Sequence, residues 1–497
     1  MKEFQLQFIV NKQTRRVLKL LDTFERTSAH TLKELETTLS VSDRTILTDI
    51  HFIKDYFEEI VILESSLIGY TFTILDRSQY TQSKQLLIED EPLFKIIEQI
   101  FFNECLTLIE WSEELLLSES SILRYLKTIE PILSEYGIMI SKNRVDFVGN
   151  EINIRRFFYD FYYESSITSH TVFPPLSIHN ITLALRQENF FDEYTHITFG
   201  DFNYTIYIAI ERFLNGKTIQ ELPKELDFLK KNLKPSYYSN VKKIVVDYFG
   251  IDLSDIEKLY IYTVLLCKRS LMDFNAEMKF LEKVPQSRLA VMWAEKYAQL
   301  IETPYKEKAR TLVFLESFFT SIYLKSLLSP TLNQNVHDVN QFTTERFSML
   351  FDKTYAFISQ NLKEPLHLTD TQVQDISANL TIYTDSLTLM YWKTYKNVAF
   401  LLEGNRYVCG NIRAIAIKSI GNYHNLFFPD AADMSMTYFD DNNIDIIVTN
   451  YNEYIADYIE DREYILFEVN PTTKDWKKLF TLINPRYTYL FGLNNDK

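Results

Sequence analysis

Glycine occurs only 10 times in 497 residues, far below its usual share of about 7 %. Glycine most readily supplies left-handed turns and flexible linkers, so the chain is predicted to form packed, mainly helical domains with few loose connections. Hydrophobic residues make up 46 % and aromatics 15 %, enough for ordinary cores. At roughly 100 to 200 residues per domain, the length predicts about three to five of them.

Other classes are argued against by local features. The start MKEFQLQFIVNKQTRR carries Glu3, Gln5 and Gln7 where a secretory leader needs an unbroken apolar region. No window approaches the ~18 to 20 apolar residues of a membrane span, since charges such as Glu110 interrupt the richest stretches. A cytoplasmic location without a membrane partner is therefore expected. Cys105, Cys267 and Cys409 are odd in number, far apart and without CxxC or His spacing, so neither a disulfide framework nor a zinc site or other cofactor is predicted. The net charge of −15 disfavours nucleic acid, and residues 1–150 hold 16 Lys/Arg against 24 Asp/Glu. Any DNA binding must rest on local basic clusters.

Such clusters occur in the first 160 residues. Val17, Leu20, Leu21 and Phe24 form one helical stripe, with Lys12, Arg15, Arg16 and Lys19 near the start of the same helix. Thr31 and Glu34 form a capping box for a short second helix, and residues 40–42 supply a turn. In the third helix Ile46, Ile50, Ile53 and Phe57 face inward, which turns Arg44, Thr48 and His51 outward with Thr45 and Lys54 beside them. A recognition helix uses its first turns against base edges, so Arg44, Thr45 and Thr48 are the leading candidates. The segment resembles the SxRTxxxDI recognition helix of a large bacterial winged-helix group, matching at Ser42, Arg44, Thr45, Asp49 and Ile50. Alternation of Ile60, Ile62, Tyr70, Phe72 and Ile74 predicts the two strands of a wing.

A second unit is predicted over residues 80–151. Leu93, Ile96, Ile97 and Ile100 form a stripe, a short helix spans Thr107 to Leu115, and Ser118 caps a helix bearing Ser121, Arg124, Tyr125 and Lys127. Pro131 is expected to kink that helix and Gly137 to end the segment. A second hairpin would carry Lys142 and Arg144 towards phosphate.

The run from Leu115 to Phe158 resembles the signature helix-turn-helix of the Mga/AtxA family of Gram-positive virulence regulators. The resemblance lies in the Ser-rich cap at 118–121, the helix from Arg124 to Lys127, and G-x-E-x-x-I-R at Gly149, Glu151, Ile154 and Arg155. It implies a mainly α multidomain chain. Residues 1–76 would be a winged helix-turn-helix, 77–160 a second, Mga-type one, 161–283 and 284–393 two all-helical domains similar to phosphotransferase-system regulatory domains (PRD-like), and 394–497 an α/β domain similar to a phosphotransferase EIIB. It also implies a non-enzymatic transcription regulator that works as an activator and binds double-stranded promoter DNA as a dimer or higher oligomer through the two N-terminal units, with a homodimer formed through the EIIB-like domain.

Helical patterns at 202–215, 255–274, 306–328 and 339–362 fit the middle of that plan. After Lys396 the stretches NVAFLLEGN, HNLFFPD, NIDIIVTN and EYILFEVNP alternate with helices, as in a parallel α/β layer. The alternative function is a sugar regulator or antiterminator controlled by phosphotransferase-system proteins, which would need phosphorylatable histidines. The residues speak against it: the histidine expected near Thr205 is missing, Tyr207, Tyr262, Tyr323 and Tyr383 occupy or adjoin the corresponding windows, and His196, His337 and His367 lie only nearby. Catalytic EIIB domains place a cysteine at the end of the first strand, where this chain has Glu403 and Gly404, with Cys409 too far along.

Overall fold

The computed structural model describes residues 4–483, apart from 28, 67–68, 165–170, 188–197, 233–234, 285–286, 337, 393–394, 431–434 and 459–461. The chain divides into two compact units, Met1–Ser386 and Leu387–Lys497.

The first unit begins with two small helical heads. Head one comprises α1 (Lys12–Arg26), β1 (Ala29–His30), α2 (Leu32–Leu39), α3 (Asp43–Phe57), β2 (Val61–Ser66) and β3 (Gly69–Ile74). The strands form an antiparallel sheet in the order β1-β3-β2. Gly69 has φ +114°, and a Cβ there would lie 2.3 Å from the carbonyl oxygen of His30, so glycine is what lets β1 close on the hairpin. Val17, Leu20, Leu21, Phe24, Leu35, Ile46, Ile50, Ile53, Phe57 and Phe72 make a core of their own, which Tyr80 completes.

Tyr80 belongs to α4 (Arg77–Glu89), and Ile88 of the same helix enters a second, larger core. That core holds head two: α5 (Pro92–Phe101), α6 (Leu108–Leu115), α7 (Glu119–Glu135), β4 (Met139–Ser141) and β5 (Asp146–Val148). α7 runs on through Pro131 to Glu135, shortly before Gly137. Pro131 and Lys127, whose carbonyl loses its helical donor, are both solvent-exposed, so water can satisfy the orphaned group.

α8 (Glu151–Tyr163) leads out of head two and is buried on most of its surface. Phe8 packs on Phe157 and Phe161, with ring centroids 5.8 and 5.0 Å apart. The helical body continues through α9 (Leu176–Gln187), α10 (Phe199–Leu214), α11 (Asp227–Asn232), α12 (Pro235–Phe249), α13 (Asp255–Cys267), α14 (Phe274–Lys283), α15 (Arg288–Leu300), α16 (Lys308–Leu328), α17 (Val339–Asn361) and α18 (Asp370–Tyr391). The single helix expected over 255–274 is two. The chain turns where Arg269 is drawn inward to donate to Glu277 Oε2 at 2.7 Å and Ser317 Oγ at 2.8 Å. The expectation of no span-like segment is also corrected: Tyr305–Leu328 has the length and mean hydropathy, 1.3, of a crossing helix. With 61 % of that stretch buried inside the protein, it is a core helix here.

The second unit is a parallel sheet of β6 (Asn397–Leu401), β7 (Asn425–Phe427), β8 (Ile446–Thr449) and β9 (Glu463–Leu466), in the order β7-β6-β8-β9. α19 (Arg406–Ile420), α20 (Met436–Asp441), α21 (Glu453–Tyr458) and α22 (Thr473–Ile483) alternate with the strands. Val398 and Phe400 face one core and Ala399 and Leu401 another, so both faces are covered, as parallel sheets require.

Candidate nucleic-acid interface

The two heads are one design repeated 76 residues apart. Val17, Leu20, Leu21 and Phe24 recur as Leu93, Ile96, Ile97 and Ile100, and the capping box of Thr31 and Glu34 recurs as Thr107 and Glu110. Each second helix ends on a left-handed residue, Ser40 at φ 54° and Leu116 at φ 52°, and each third helix starts after a serine, Ser42 or Ser118. The buried positions Ile46, Ile50, Ile53 and Phe57 return as Ile122, Leu126, Ile129 and Leu133. The hairpins keep register too, Leu63 facing Phe72 and Met139 facing Val148. In both capping boxes the glutamate accepts the threonine backbone N–H, at 2.8 and 2.7 Å. Those hydrogen bonds hold the Glu34 and Glu110 carboxyls below their ordinary range.

This framework fixes where each candidate residue lies. On α3, Arg44, Thr48 and Lys54 are exposed and Thr45 is half-buried. The Thr48 hydroxyl donates to the carbonyl of Arg44 at 2.9 Å, and Thr45 Oγ1 lies 3.1 Å from Ser42 Oγ. On α7, Arg124 and Lys127 are exposed, Ser121 and Tyr125 are half-buried, and the Arg124 guanidinium stands 5.3 Å from the Tyr125 ring. At the second hairpin Arg144 and Lys142 are exposed, the latter 3.6 Å from Glu130.

Two candidates sit differently. Arg16 donates from Nε and Nη2 to Asp49 at 2.7 and 3.0 Å, and Asp49 is fully buried; the hydrogen bond to Asp49 raises the affinity of that guanidinium for its proton. Arg15 is half-buried and donates to the carbonyl of Ile9. Both cations work inside the protein, which the helical period alone could not reveal because their partners are 33 residues away or on the backbone.

Residues 76–162 match the Mga helix-turn-helix domain. Over 478 residues the chain is 21 % identical to a trans-acting regulator of Streptococcus pneumoniae serotype 4, covering 92 % of this chain and 91 % of that one. It is 22 % identical over 408 residues to AcpB, a capsule synthesis positive regulator of Bacillus anthracis, covering 78 % and 83 %. The figure is also 22 %, over 214 residues covering 42 % and 44 %, for AcpA, a second such regulator from the same organism.

Both kinds of match point to the Mga/AtxA family. The chain is a transcriptional regulator with a helix-turn-helix domain. The residues Glu151 and Arg155 of the matched segment are structural. Arg155 donates to Glu151 at 3.1 Å and to Glu257 at 2.9 Å, and Arg212 holds Glu151 at 2.8 Å while reaching the carbonyl of Ile100 at 3.2 Å. Arg155, Arg212 and Glu257 are all but sealed from solvent. Burial alone would make Arg155 shed its proton more readily, and Glu257 more than offsets that. The cluster bolts α8 and the end of α5 to α10 and α13.

In the helical body Thr205, Tyr207 and Tyr383 are buried and His367 is an exposed residue at φ 51°. His196 and His337 lie outside the described residues. Cys409 is nearer the end of β6 than its sequence distance suggested, its Sγ lying 3.6 Å from the Glu403 carbonyl, because the first turn of α19 folds back over the loop. The loop itself is closed by Asn450, which pairs with the Glu403 backbone at 2.8 Å in both directions.

Proposed function

We propose that this regulator binds duplex DNA through both heads, with α3 and α7 in the major groove and the second hairpin on phosphate. The observation that supports the reading is the repeated frame, in which Arg44, Thr48 and Lys54 of α3 and Arg124 and Lys127 of α7 are exposed, with Thr45, Ser121 and Tyr125 half-buried beside them. Lys142 and Arg144 add cations at the second wing. Arg15 and Arg16 are left out of this interface, since they brace the fold.

On this reading the two heads are winged helix-turn-helix domains, residues 161–283 and 284–393 are PRD-like, and residues 394–497 are EIIB-like. The protein acts in the cytoplasm as an activator, as the names of the capsule regulators suggest for those relatives. Dimerisation is assigned to the α/β unit, where the edge strand β9 leaves Tyr464 and Leu466 exposed; an open edge of that kind favours self-association.

The test is fluorescence anisotropy with a duplex selected from a random pool, at several salt concentrations. Arg44→Ala and Arg124→Ala should each cost about 1–3 kcal/mol of binding if they read bases. A double Lys142→Ala, Arg144→Ala variant should flatten the salt slope by about 2. Unchanged binding in all three variants would reject the interface.

A further inference from the structure

The helical body contains a cavity of about 210 Å³ that neither the heads nor the α/β unit explains. It is lined by Arg156 of α8, Lys268 at the end of α13, Lys325 of α16, and the amides Asn333, Gln334 and Asn379. Its volume is far above the ~15 Å³ a single water needs. The Arg156 and Lys268 side chains retain 16 % and 22 % exposure, so the cations can be reached from solvent.

The charges facing this space are unequal in their compensation. Arg156 has Asp160 at 2.9 Å and the carbonyl of Gln334 at 3.1 Å. Lys268 is paired with Asp201 and lies 3.8 Å from the centre of the Tyr159 ring. Glu164 acts on both at longer range. Lys325 has no ion pair among the described residues, and the charged groups that act on it most strongly are Arg156, Lys268 and Arg269, with the Cys267 thiol beside them. Burial first, and then the neighbouring cations, push its ammonium down to about 8.

An uncompensated ammonium beside two more cations is a costly arrangement for a protein interior, and an anion would relieve it. Two acceptors on the lining residues, Asn333 Oδ1 and Gln334 Oε1, have no donor among the described residues, which suits a ligand that also carries hydroxyl groups. A smaller void next to it shares Arg156 and Lys268 and reaches Thr205, whose hydroxyl likewise has no partner among the described residues.

We propose that this cavity is a binding site for a phosphate group, either inorganic phosphate or the phosphate of a small hydroxylated ester, held by Lys325, Arg156 and Lys268. The site joins α8, which carries head two, to α13 and α16 of the body, so an occupant strengthens the packing of those helices. The proposal does not depend on DNA binding.

The test uses the full-length protein, titrated calorimetrically with inorganic phosphate, glycerol 3-phosphate and glycerol at constant ionic strength. Saturable binding of one or both phosphates, and not of glycerol, is expected; tighter binding of the ester would identify the hydroxylated form. Lys325→Met should weaken binding by roughly tenfold or more, equivalent to about 1.4 kcal/mol, while Lys325→Arg retains it. On the wild type, phosphate should also slow alkylation of Cys267, which lines the cavity, and leave Cys409 unaffected, a readout that survives if the methionine variant fails to fold. Absence of saturable binding, equal affinity in Lys325→Met, or Cys267 labelling indifferent to phosphate would overturn the site.

Discussion

Head one and head two share a frame but differ in what holds them. Head one has its own core and ties α1 to α3 with the Arg16–Asp49 pair. Head two has Pro92 and Tyr125 at those places and belongs to the core of the helical body. Its charged anchor lies below it, in the cluster of Glu151, Arg155, Arg212 and Glu257. The hairpins diverge as well: the exposed acidic Glu64 sits on the first, while Lys142 and Arg144 extend from the second. One frame can thus support a self-contained module or an extension of a larger domain, depending on where its ion pairs are placed.

The contrast can be broken most severely at Glu257. Glu257→Ala leaves the Arg155 guanidinium, 1 % exposed, without its main carboxylate, and such losses cost about 3–5 kcal/mol. Hydrogen exchange should quicken through head two and α8 to α13 while head one keeps its protection. Protection lost equally in both heads would mean that they are a single cooperative unit.

Arg16→Met is the reciprocal change. Because Arg16 is 27 % exposed and Asp49 is sealed, solvent screening reduces the expected cost to roughly 2 kcal/mol. Chemical denaturation should show an early transition confined to residues 12–74. A uniform shift of the whole unfolding curve would contradict the separate core.

The caps give a smaller difference. Ser118 Oγ accepts the Ser121 N–H at 3.2 Å, whereas Ser42 makes no such cap. Ser118→Ala should therefore cost about 1 kcal/mol and Ser42→Ala only a few tenths, as thermal melts of the two variants can compare.

The slightest effect lies in the capping boxes and should be common to both heads. The carboxyls of Glu34 and Glu110 are held low in the folded protein, so the unfolded chain takes up their protons first as acid is added. Their stabilisation is complete above the ordinary carboxylate range and is lost as pH falls through the folded values. A double Glu34→Gln, Glu110→Gln variant should lose less stability than the wild type on acidification; a steeper loss would reverse the assigned sign.

The sequence reveals what periodicity and local chemistry encode. The stripes of α1 and α5, the capping box at Thr31 and the outward face of α3 can be read from spacings within one helix. The exact repeat is hidden because few residues are identical between the heads, and the left-handed position is Ser40 in one and an exposed Leu116 in the other, neither a usual sign of a helix end. Arg16 looks like a surface cation until the fold brings it to Asp49, and Glu151 and Arg155 look like a motif without a purpose until Arg212 and Glu257 arrive from 61 and 102 residues away. Long-range charge pairing leaves no periodic trace in a single sequence.

Between the heads runs α4, whose Tyr80 sits in one core and Ile88 in the other. A continuous helix advances about 1.5 Å per residue and resists bending, so it works as a ruler where a flexible linker would work as a tether. If both heads bind duplex DNA as proposed, then on a double helix that turns once in about 10.5 base pairs a ruler would make phase matter: the rotational setting of two target sequences would become part of the address, alongside the letters in each.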